Sequence, residues 1–500
     1  MLGKYLTVNE ITAVELNSAH IGVSTQMLME NAGASVAKEA MKRFEKGSKI
    51  AVISGLSGNG GDGFVAARHL ASAGYDVESI ILGDPVYITH PNTKENYRVL
   101  QNLKESIKVT VIKDSSQIQP IKANVIVDAL IGTSMHGTLR PPYLQMVQAI
   151  NSSNAFKVSV DIPTGMVADT GDVQGECVKA DLTVTFHKPK IGYKKKPKNV
   201  GELVIAPIGI PLEAELFTGP GDVWMVHPKR DPESHKGMFG TVLVVGGSDT
   251  YSGAPTLTSM GAYATGVDLV YTAIPETAAS AVMGFSPSLI TIKLKGERLR
   301  KSNLSQLDPF LDKVNVLAVG PGLGQAEETV EAFNELYLNA QRHNLPMVID
   351  ADGLKAYAQK RIKVKTPTVF TPHSREFEIL TGTKVEGDFK AKGSTVQTEA
   401  KKLDAVILLK GMVDVVSDGA TTRYNWTGNP GMTVGGTGDV LTGLIAGFMA
   451  MGATPLEAAA AAAYVNGSAG DRVYNRKGYH LLPEDLIKEV PYVIEDSIKG

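Results

Sequence analysis

Two glycine-rich segments that contain an aspartate are the parts of this sequence best suited to binding phosphate. One covers residues 55–63 (GLSGNGGDG) and the other covers residues 429–443 (NPGMTVGGTGDVLTG). Glycine lets the backbone approach a ligand closely, and free N–H groups at the start of a helix hold phosphate oxygens. An aspartate in such a loop can accept the proton of a hydroxyl that attacks phosphorus. The chain therefore contains two candidate anion-binding loops.

The first segment matches the dinucleotide fingerprint G-x-G-x-x-G at Gly58, Gly60 and Gly63. It follows an apolar run and precedes a helical pattern, which is the order that places a pyrophosphate on a helix N-terminus. Glycine-rich turns between a strand and a helix also occur without a ligand, so the motif alone leaves both interpretations open. Asn59 and Asp62 are not required by the fingerprint, and we expect them to contact a cation or a substrate.

Two further aspartates, Asp128 and Asp161, end later apolar runs in the first half of the chain. The carboxyl ends of strands in a doubly wound sheet converge on one crevice, so the segments 127–138 and 160–165 can face the same ligand as the first loop. The alternative is that each aspartate only caps a turn or a helix.

The second segment places Gly435, Gly436 and Gly438 directly before Asp439 and an apolar helix. The chain has no GxxxxGK[ST] sequence, which argues against a Walker-type kinase. We expect the backbone N–H groups of this loop to hold phosphate oxygens and Asp439 to accept the proton of an attacking hydroxyl. An aspartate that served only as a helix cap would leave the three glycines unexplained.

Histidine and cysteine add little to this chemistry. His373 follows a predicted strand, where a ligand contact and a structural role are both open. The other nine histidines form no spaced set of metal ligands, so we expect no zinc site. The single cysteine, Cys177, cannot form an intrachain disulfide, which favours a reducing compartment and hence the cytoplasm.

Runs rich in valine and isoleucine alternate with helical patterns along the chain, which is typical of parallel sheets covered by helices. These runs predict strands within residues 49–55, 77–83, 108–112, 124–130, 157–163, 182–186, 240–247, 269–275, 314–322, 346–353, 368–373 and 405–411. We therefore predict an α/β protein of two domains, a Rossmann-like doubly wound sheet over residues 1–218 and a second α/β domain over residues 219–500. The division is placed near Gly219, in a stretch rich in proline and glycine.

Length and composition fit a folded protein of at least two domains, with 500 residues, 43% of them hydrophobic and 20% charged. Fifty basic residues against 52 acidic residues give a net charge of -2, which argues against nucleic acid or an anionic membrane as a partner. We expect small-molecule partners.

Three segments could be mistaken for something else. The N-terminal MLGKYLTVNEI has no apolar core of signal-peptide length. The apolar residues 441–453 are too few to cross a membrane, so we predict a buried helix there and a soluble chain. The lysine-rich residues 187–198 (HKPKIGYKKKPK) predict a solvated loop.

Together these motifs resemble a known pair of domains. Residues 57–63 (SGNGGDG), 127–137 (VDALIGTSMHG) and 159–166 (SVDIPTGM) resemble the NAD(P)H-hydrate epimerase domain. Residues 241–254, 348–354, 371–380 and 429–443 resemble its usual fusion partner, the ribokinase-like ADP-dependent NAD(P)H-hydrate dehydratase. The resemblance covers nearly the whole chain and implies a homo-oligomer, a tetramer or larger.

The resemblance also implies a set of site residues. The implied substrate contacts of the first domain are Gly58, Asn59, Gly60, Gly61, Asp62, Gly132, Thr133, Ser134, Met135, His136, Gly137, Thr138 and Asp161. A potassium ion is implied at Asn59, Asp128 and Thr164, whose oxygen atoms suit a hard cation. The implied substrate contacts of the second domain are Ala254, Gly322, His373 and Asp439. The implied nucleotide contacts are Lys410, Gly411, Met412, Val413, Asp414, Asn429, Pro430, Gly431, Met432, Thr433, Val434, Gly435, Gly436, Thr437 and Gly438.

The implied activity is the repair of reduced nicotinamide cofactor that has gained water at ring carbon six, the substrates being NADHX and NADPHX. Phosphorylation of that hydroxyl by ADP with Mg²⁺ makes a good leaving group, with Asp439 as the base. The first domain is expected to interconvert the two configurations at the same carbon, with K⁺ bound and Asp161 as the acid or base.

Two other interpretations stay open at this point. One is a kinase of small alcohols, such as vitamin precursors, fused to a nicotinamide-binding module. The other is a first domain that only binds a ligand or a partner. The residues alone also leave ADP and ATP both open as the phosphoryl donor.

Overall fold

The computed structural model describes residues 3–499, which form two compact units divided between Leu212 and Glu213. Residues 1, 2 and 500 of the predicted domains lie outside the described residues. The division precedes the predicted boundary at Gly219. Phe217 belongs to the second unit because its ring stacks on that of Trp426 at 4.0 Å between centroids and Arg423 donates a hydrogen bond of 2.7 Å to its carbonyl oxygen.

In the first unit, residues 3–212 contain a parallel sheet of seven strands in the order β3-β2-β1-β4-β5-β6-β7. This order reverses direction between β1 and β4, and it confirms the predicted doubly wound, Rossmann-like sheet. The strands are β1 Lys49–Ser54, β2 Asp76–Leu82, β3 Ile107–Ile112, β4 Val125–Ala129, β5 Phe156–Val160, β6 Leu182–Phe186 and β7 Glu202–Ala206.

Helices cover both faces of this sheet, and their apolar residues form two clusters with the strands. A capping box at Thr7 fixes the start of the first helix, because the Thr7 hydroxyl accepts from Glu10 N and the Glu10 carboxylate accepts from Thr7 N. The helices are α1 Val8–His20, α2 Thr25–Met41, α3 Gly58–Ser72, α4 Pro91–Gln101 and α5 Tyr143–Ser152.

The second unit contains, within residues 213–499, a sheet of nine strands in the order β10-β9-β8-β11-β12-β13-β14-β15-β16. The strands are parallel up to β14, and the last two pair antiparallel. The strands are β8 Thr241–Val245, β9 Leu269–Pro275, β10 Ile290–Leu294, β11 Val316–Val319, β12 Met347–Ile349, β13 Thr368–Phe370, β14 Val406–Leu409, β15 Asp414–Ser417 and β16 Thr422–Asn425.

The helices that follow this division are α6 Leu212–Leu216, α7 Pro220–Val226, α8 Gly253–Ala264, α9 Glu276–Phe285, α10 Leu304–Leu311, α11 Glu327–Arg342, α12 Asp352–Lys360, α13 Ser374–Thr381, α14 Phe389–Leu403, α15 Thr437–Ala450, α16 Pro455–Lys477 and α17 Pro483–Lys499. α15 and α8 pack closely through glycine: a Cβ on Gly443 would overlap the carbonyl oxygen of Thr258, and one on Gly261 would overlap that of Val440. The buried α15 confirms the helix predicted from residues 441–453.

Each predicted apolar run contains a strand, so the predicted α/β class is confirmed. The strands that the prediction lacked lie at the sheet edges or beside them. β7 and β10 have alternating or exposed positions rather than a continuous apolar run, and β15 with β16 are only four residues long each. The half-exposed edge strands β7 and β10 and the short hairpin of β15 and β16 are set by pairing rather than by their own pattern.

Candidate active sites

Asp161 is held in a strained position at the carboxyl end of β5. Its backbone φ is +63°, a conformation that residues other than glycine rarely adopt. The Asp161 N–H donates to the carbonyl oxygen of Val184 at 2.8 Å, and the Tyr193 hydroxyl donates to the carbonyl oxygen of Asp161 at 2.5 Å. Backbone strain of this kind persists where the surrounding contacts fix it, and it is common at functional sites.

Lys190 forms an ion pair with the Asp161 carboxylate, and both side chains are buried. The same carboxylate oxygen, Oδ1, accepts a hydrogen bond of 3.0 Å from the Thr185 hydroxyl. Lys190 is only 1% exposed, so the prediction that residues 187–198 are a solvated loop is wrong for this residue. Lys190 follows β6, whose carboxyl end points into the same crevice as that of β5. An ion pair with Asp161 offsets the cost of burying this lysine.

Two more carboxyl groups share the surroundings of this pair. Burial raises the pKa of Glu15 on α1 to about 7, with Lys190 opposing the rise and Asp161 adding to it. Burial also raises the pKa of Asp62 on α3 well above its ordinary value, and the charges of Asp161 and Glu15 add to that rise. Three carboxyl groups therefore lie near one lysine, and burial favours the neutral form of two of them.

These groups line a cleft of about 270 Å³ at the carboxyl edge of the sheet. The predicted substrate contacts that line it are Gly58, Asn59, Asp62, Gly132, Thr133, Ser134 and Asp161. The other predicted contacts are placed differently. Gly60 and Gly61 pack against Gly55 and Met29, Met135 is buried in the apolar core, and the exposed residues of the following turn are His136, Gly137 and Thr138.

The three residues predicted to bind potassium lie along one chain of contacts. The Asp128 carboxylate accepts hydrogen bonds from the Thr164 hydroxyl at 2.6 Å and from Thr164 N at 2.9 Å. The Thr164 hydroxyl also contacts the backbone of Ile131, and a Cβ on the next residue, Gly132, would lie 3.0 Å from Asn59 Oδ1. Burial raises the pKa of Asp128 against the effect of these hydrogen bonds.

In the second unit, Asp439 lies in the first turn of α15, directly behind the glycine loop. Gly436 precedes the helix with φ +103°, which glycine adopts without strain, and the space beside Gly435 is open. Burial raises the pKa of Asp439 to about 7, with Asp350 adding to the rise and Lys410 opposing it. A carboxylate with this pKa can take up a proton near neutral pH.

Lys410 and Asp350 form the charged pair next to Asp439. Lys410 Nζ lies 2.8 Å from Asp350 Oδ1, and the other oxygen, Oδ2, accepts a hydrogen bond of 2.8 Å from the Thr442 hydroxyl. Although burial works against its charge, Asp350 and Glu376 hold the pKa of Lys410 above its ordinary value. A Cβ on Gly438 would lie 3.4 Å from Lys410 Nζ, so the ammonium group lies beside the glycine loop.

His373 begins α13 and has a structural role as its N-cap. Its Nδ1 accepts from the backbone N–H groups of Arg375 at 3.2 Å and Glu376 at 3.4 Å, and the Glu376 carboxylate accepts from His373 N at 3.0 Å. The His373 side chain is half exposed and pairs through its backbone with Lys410. Nε2 lies 3.4 Å from the Glu376 carboxylate, and because the side chain is half exposed a structural role and a substrate contact are compatible.

The predicted nucleotide contacts fall on two turns. Asp414 closes the first turn, residues 410–414, because its carboxylate accepts hydrogen bonds from Gly411 N at 2.9 Å and from Asn425 Nδ2 at 3.0 Å. Burial raises the pKa of Asp414 to about 6. Met412 protrudes from this turn with 96% of its surface exposed. In the second turn, Asn429 donates to Asp471 at 2.9 Å and caps the short helix Pro430–Thr433.

Ala254 and Gly322, two predicted substrate contacts, lie side by side. A Cβ on Gly322 would lie 3.5 Å from that of Ala254 and 2.9 Å from that of Tyr251. Gly322 has φ +68°, so both its conformation and its space require glycine. The structure thus places these two residues together where the loop after β11 meets the start of α8.

Sequence reasoning missed four residues of these sites: Glu15, Thr185, Lys190 and Asp350. Asp350 and Lys190 each follow a strand that points into a crevice, and that position was the available signal. Glu15 shares a helix face with Val8, Ile11 and Thr12, all of which line the cleft, and a carboxylate on such a face is a signal for function. Thr185 lies within a strand and gave no signal.

The described residues include neither a membrane-spanning helix nor a cluster of metal-ligating acidic, histidine or cysteine side chains. Residues 3–499 contain no helix that is long and apolar enough to cross a membrane. Within the same part of the chain, no group of three or more His, Cys, Asp or Glu side chains is arranged to hold a metal ion. The three residues predicted to bind potassium are not such a group, because besides the carboxylate of Asp128 they offer the amide of Asn59 and the hydroxyl of Thr164.

Comparisons with known proteins match both units. Residues 25–192 match the family described as YjeF-related protein N-terminus, and residues 242–492 match the NAD(P)H-hydrate dehydratase family. The bifunctional NAD(P)H-hydrate repair enzyme of Hyperthermus butylicus is 42% identical over 100% of this chain and 94% of its own length. The corresponding enzyme of Pyrobaculum aerophilum is 44% identical over 98% of each chain.

Among solved structures, a ribokinase-like superfamily protein from Enterococcus faecalis V583 aligns with a TM-score of 0.52 and 24% identity. The alignment covers 57% of this chain and 97% of that protein. This likeness shows the ribokinase-like fold that the sequence predicts.

Proposed function

The chain belongs to the family of bifunctional NAD(P)H-hydrate repair enzymes, and from this membership we propose that it repairs hydrated NADH and NADPH. The first unit epimerises the hydrated carbon, and the second unit dehydrates one epimer at the expense of ADP. The observation that carries the proposal is the sequence identity of 42% and 44%, over nearly the full length of the chain, to relatives that bear this name. An aspartate paired with a lysine in each of the two units supports it.

In the dehydratase reaction, Asp439 takes the proton of the substrate hydroxyl as its oxygen attacks the phosphorus of the nucleotide. The raised pKa of Asp439 suits it to this task near neutral pH. Lys410, beside Gly438, offers positive charge to the transferred phosphoryl group, and the N–H groups at the start of α15 bind its oxygens. The ring nitrogen then expels the phosphate, and loss of a proton restores the dihydropyridine.

Magnesium fits this site by charge. Asp350, Asp439 and the nucleotide phosphates together carry more negative charge than Lys410 neutralises, and carboxylate and phosphate oxygens are the ligands that Mg²⁺ takes. The ion would neutralise charge on the phosphates.

Potassium fits the epimerase unit for a related reason. Asp128 is fully buried, and its carboxylate accepts from Ser159, Thr164 and Leu130 N, which are all neutral donors. Among the described residues, Asn59 Nδ2 is buried without a hydrogen-bond partner. A monovalent cation held by Asp128, Thr164 and Asn59 would supply the missing positive charge, and the Asn59 ligand would be its amide oxygen Oδ1 because Nδ2 is a donor.

Epimerisation uses Asp161 as an acid-base group at the hydrated carbon, through an iminium ion or an opened ring. The ion pair with Lys190 and the hydrogen bond from Thr185 hold the Asp161 carboxylate in one orientation. A fixed carboxylate in a cleft of this size can reach a hydroxyl on the nicotinamide ring.

The test is a two-part assay with the purified full-length chain and a mixture of both NADHX epimers. Without nucleotide, chromatography is expected to show interconversion of the epimers above the enzyme-free rate. With ADP and Mg²⁺, both epimers are expected to return to NADH, with AMP as the second product. Restoration of one epimer only would contradict the bifunctional activity, and a stable phosphorylated product without elimination would select a small-alcohol kinase instead.

Three further expectations remain predictions: preference for ADP over ATP, a homo-oligomer of four or more chains, and a cytoplasmic location.

A further inference from the structure

The first cleft contains a carboxyl group that the predicted site did not include. Glu15 lies on α1, which precedes the first strand in the sequence, and it lines the same cleft as Asp62, Asp161 and Lys190. A role for Glu15 in moving protons rests on the epimerase activity proposed above.

Backbone contacts fix where Glu15 lies. Leu6 pairs with Lys190 as a parallel bridge, with Leu6 N donating to Pro189 O at 3.1 Å and Ile191 N donating to Leu6 O at 2.8 Å. Two residues after Leu6, α1 begins at Val8, whose N–H donates to Asp169 Oδ1 at 2.8 Å. The start of α1 is thus tied to the segment that carries Lys190. Two helical turns after Val8, the face that includes Glu15 lines the cleft.

Three ionisable groups on separate elements lie near Glu15. Asp62 lies on α3, Asp161 follows β5, and Lys190 follows β6. His187 and His90 also line the cleft, and His90 is neutral by preference because burial lowers its pKa and its Nδ1 accepts from Thr93 N. Lys190 is paired with Asp161, so the positive charge of this lysine is largely compensated.

Glu15 and Asp161 differ in their surroundings, since Asp161 is held in an ion pair with Lys190 and Glu15 is not the partner of that lysine. Burial raises the pKa of Glu15 to about 7, so it can give up and regain a proton near neutral pH. Asp62 is less suited to that task, since burial and its neighbours hold its pKa well above the ordinary value. Two carboxyl groups in such different surroundings are suited to acid-base catalysis at one carbon.

We propose that Glu15 is the second catalytic acid-base group of epimerisation, acting opposite Asp161. Neutral Glu15 donates its proton to the ring hydroxyl as the C–O bond breaks, water leaves, and the nitrogen lone pair forms the C=N bond of an iminium ion. A water molecule then adds to the other face of the carbon, the C=N electron pair returns to nitrogen, and Asp161 takes the proton from that water. Proton exchange with solvent restores the resting pair, and the opposite epimer uses the two groups in exchanged roles.

The test compares Glu15→Gln with the wild type and with Glu105→Gln, a control at an exposed carboxylate of the same unit. All assays omit nucleotide, so that only epimer exchange is observed. Glu15→Gln is expected to lower the rate of exchange by about 100-fold or more while leaving the KM for NADHX within a few-fold. Glu15→Asp should recover part of the rate, and Glu105→Gln should behave as wild type.

Two further readouts separate a catalytic role from a structural one. The wild-type rate is expected to fall as pH rises above about 7, because Glu15 loses its proton, and this limb should be absent in Glu15→Gln. In water enriched in ¹⁸O, each exchange event is expected to introduce one solvent oxygen.

The outcomes distinguish this inference from the function on which it rests. If the wild type does not exchange the epimers, the proposed function fails. If the wild type and Glu105→Gln are active, Asp161→Asn is inactive and folded Glu15→Gln keeps the full rate, the role of Glu15 is overturned and the epimerase stands. Retention of the substrate oxygen during exchange would overturn the elimination step assigned to Glu15.

Discussion

The two clefts share one arrangement of charged groups. Each has an aspartate after a strand, Asp161 or Asp350, in an ion pair with a lysine, the buried Lys190 or the partly buried Lys410. A threonine hydroxyl donates to each aspartate, from Thr185 at 3.0 Å and from Thr442 at 2.8 Å. Beside each pair lies a carboxyl group whose pKa burial raises to about 7, Glu15 in the first cleft and Asp439 in the second.

The two arrangements differ in what the lysine faces. Lys410 lies beside Gly438 of the open glycine loop, where its charge can bind a phosphoryl group. Lys190 is only 1% exposed and is paired with Asp161, an arrangement suited to holding a carboxylate in place. On the proposed functions, one arrangement would serve phosphoryl transfer and the other proton transfer.

The largest expected effect is that of Asp439→Asn, which keeps the size of the side chain but removes the proton acceptor. Dehydration should fall by roughly 10³-fold, while epimer exchange without nucleotide should keep its wild-type rate. The measurement follows both epimers by chromatography and the recovery of reduced-cofactor absorbance.

The matched control is Asp404→Asn, at an exposed position in the second unit. Dehydration at the wild-type rate in Asp439→Asn would show that Asp439 is not the base. Loss of both activities in a folded protein would show that the two sites are not separate.

The second prediction concerns pH and has opposite signs in the two clefts. Asp439 acts as a base and must be ionised, so dehydration should rise about tenfold per unit as pH increases towards about 7 and then level off. Glu15 acts as an acid and must be protonated, so epimer exchange should fall as pH increases beyond about 7. Separate pH profiles with and without ADP check this, and limbs of the same sign would contradict the comparison.

A smaller effect is expected from Asp350→Asn, which removes the negative neighbour of Asp439 and leaves Lys410 uncompensated. Both changes lower the pKa of Asp439, so the acidic limb of the dehydratase profile should move down by roughly one pH unit. Epimer exchange should keep its profile, which serves as an internal control. An unmoved limb would show that Asp350 does not act on Asp439.

The smallest effect is expected from Gly443→Ala in α15. The added Cβ would overlap the carbonyl oxygen of Thr258, so the second unit should lose about 1–3 kcal/mol of stability. Gly284→Ala is the control, because the space beside Gly284 in α9 is open and alanine favours a helix. Thermal unfolding of the full chain measures both variants, and an unchanged transition in Gly443→Ala would contradict the close packing described for this helix.

Sequence predicted the strands well where they are buried on both faces, because a continuous apolar run such as that of β4 or β8 has few other interpretations. It failed at β15 and β16, where Asp414 and Asn425 are polar residues that pair across a hairpin. In those strands the pairing partner, rather than the local pattern, determines the structure.

The candidate sites show the same division between local and distant causes. Asp161 and Asp439 were predictable because each belongs to a short motif that has a chemical reason for its residues. Lys190 was assigned to a solvated loop because a run of lysines is usually exposed, and only the position of Asp161 across the sheet makes its burial favourable. Glu15 depends on a contact between Leu6 and Lys190, more than 180 residues apart in the sequence.

The glycine contacts between α15 and α8 have a consequence for motion. Asp439 starts one of these helices and Ala254 lies in the first turn of the other, and backbones this close cannot slide past each other without steric overlap. Asp439 and Ala254 are therefore expected to move as one body. If the turn that carries Met412 binds the nucleotide as we propose, closure around the two substrates is left to that protruding turn, and we expect its opening to set the pace at which spent nucleotide leaves.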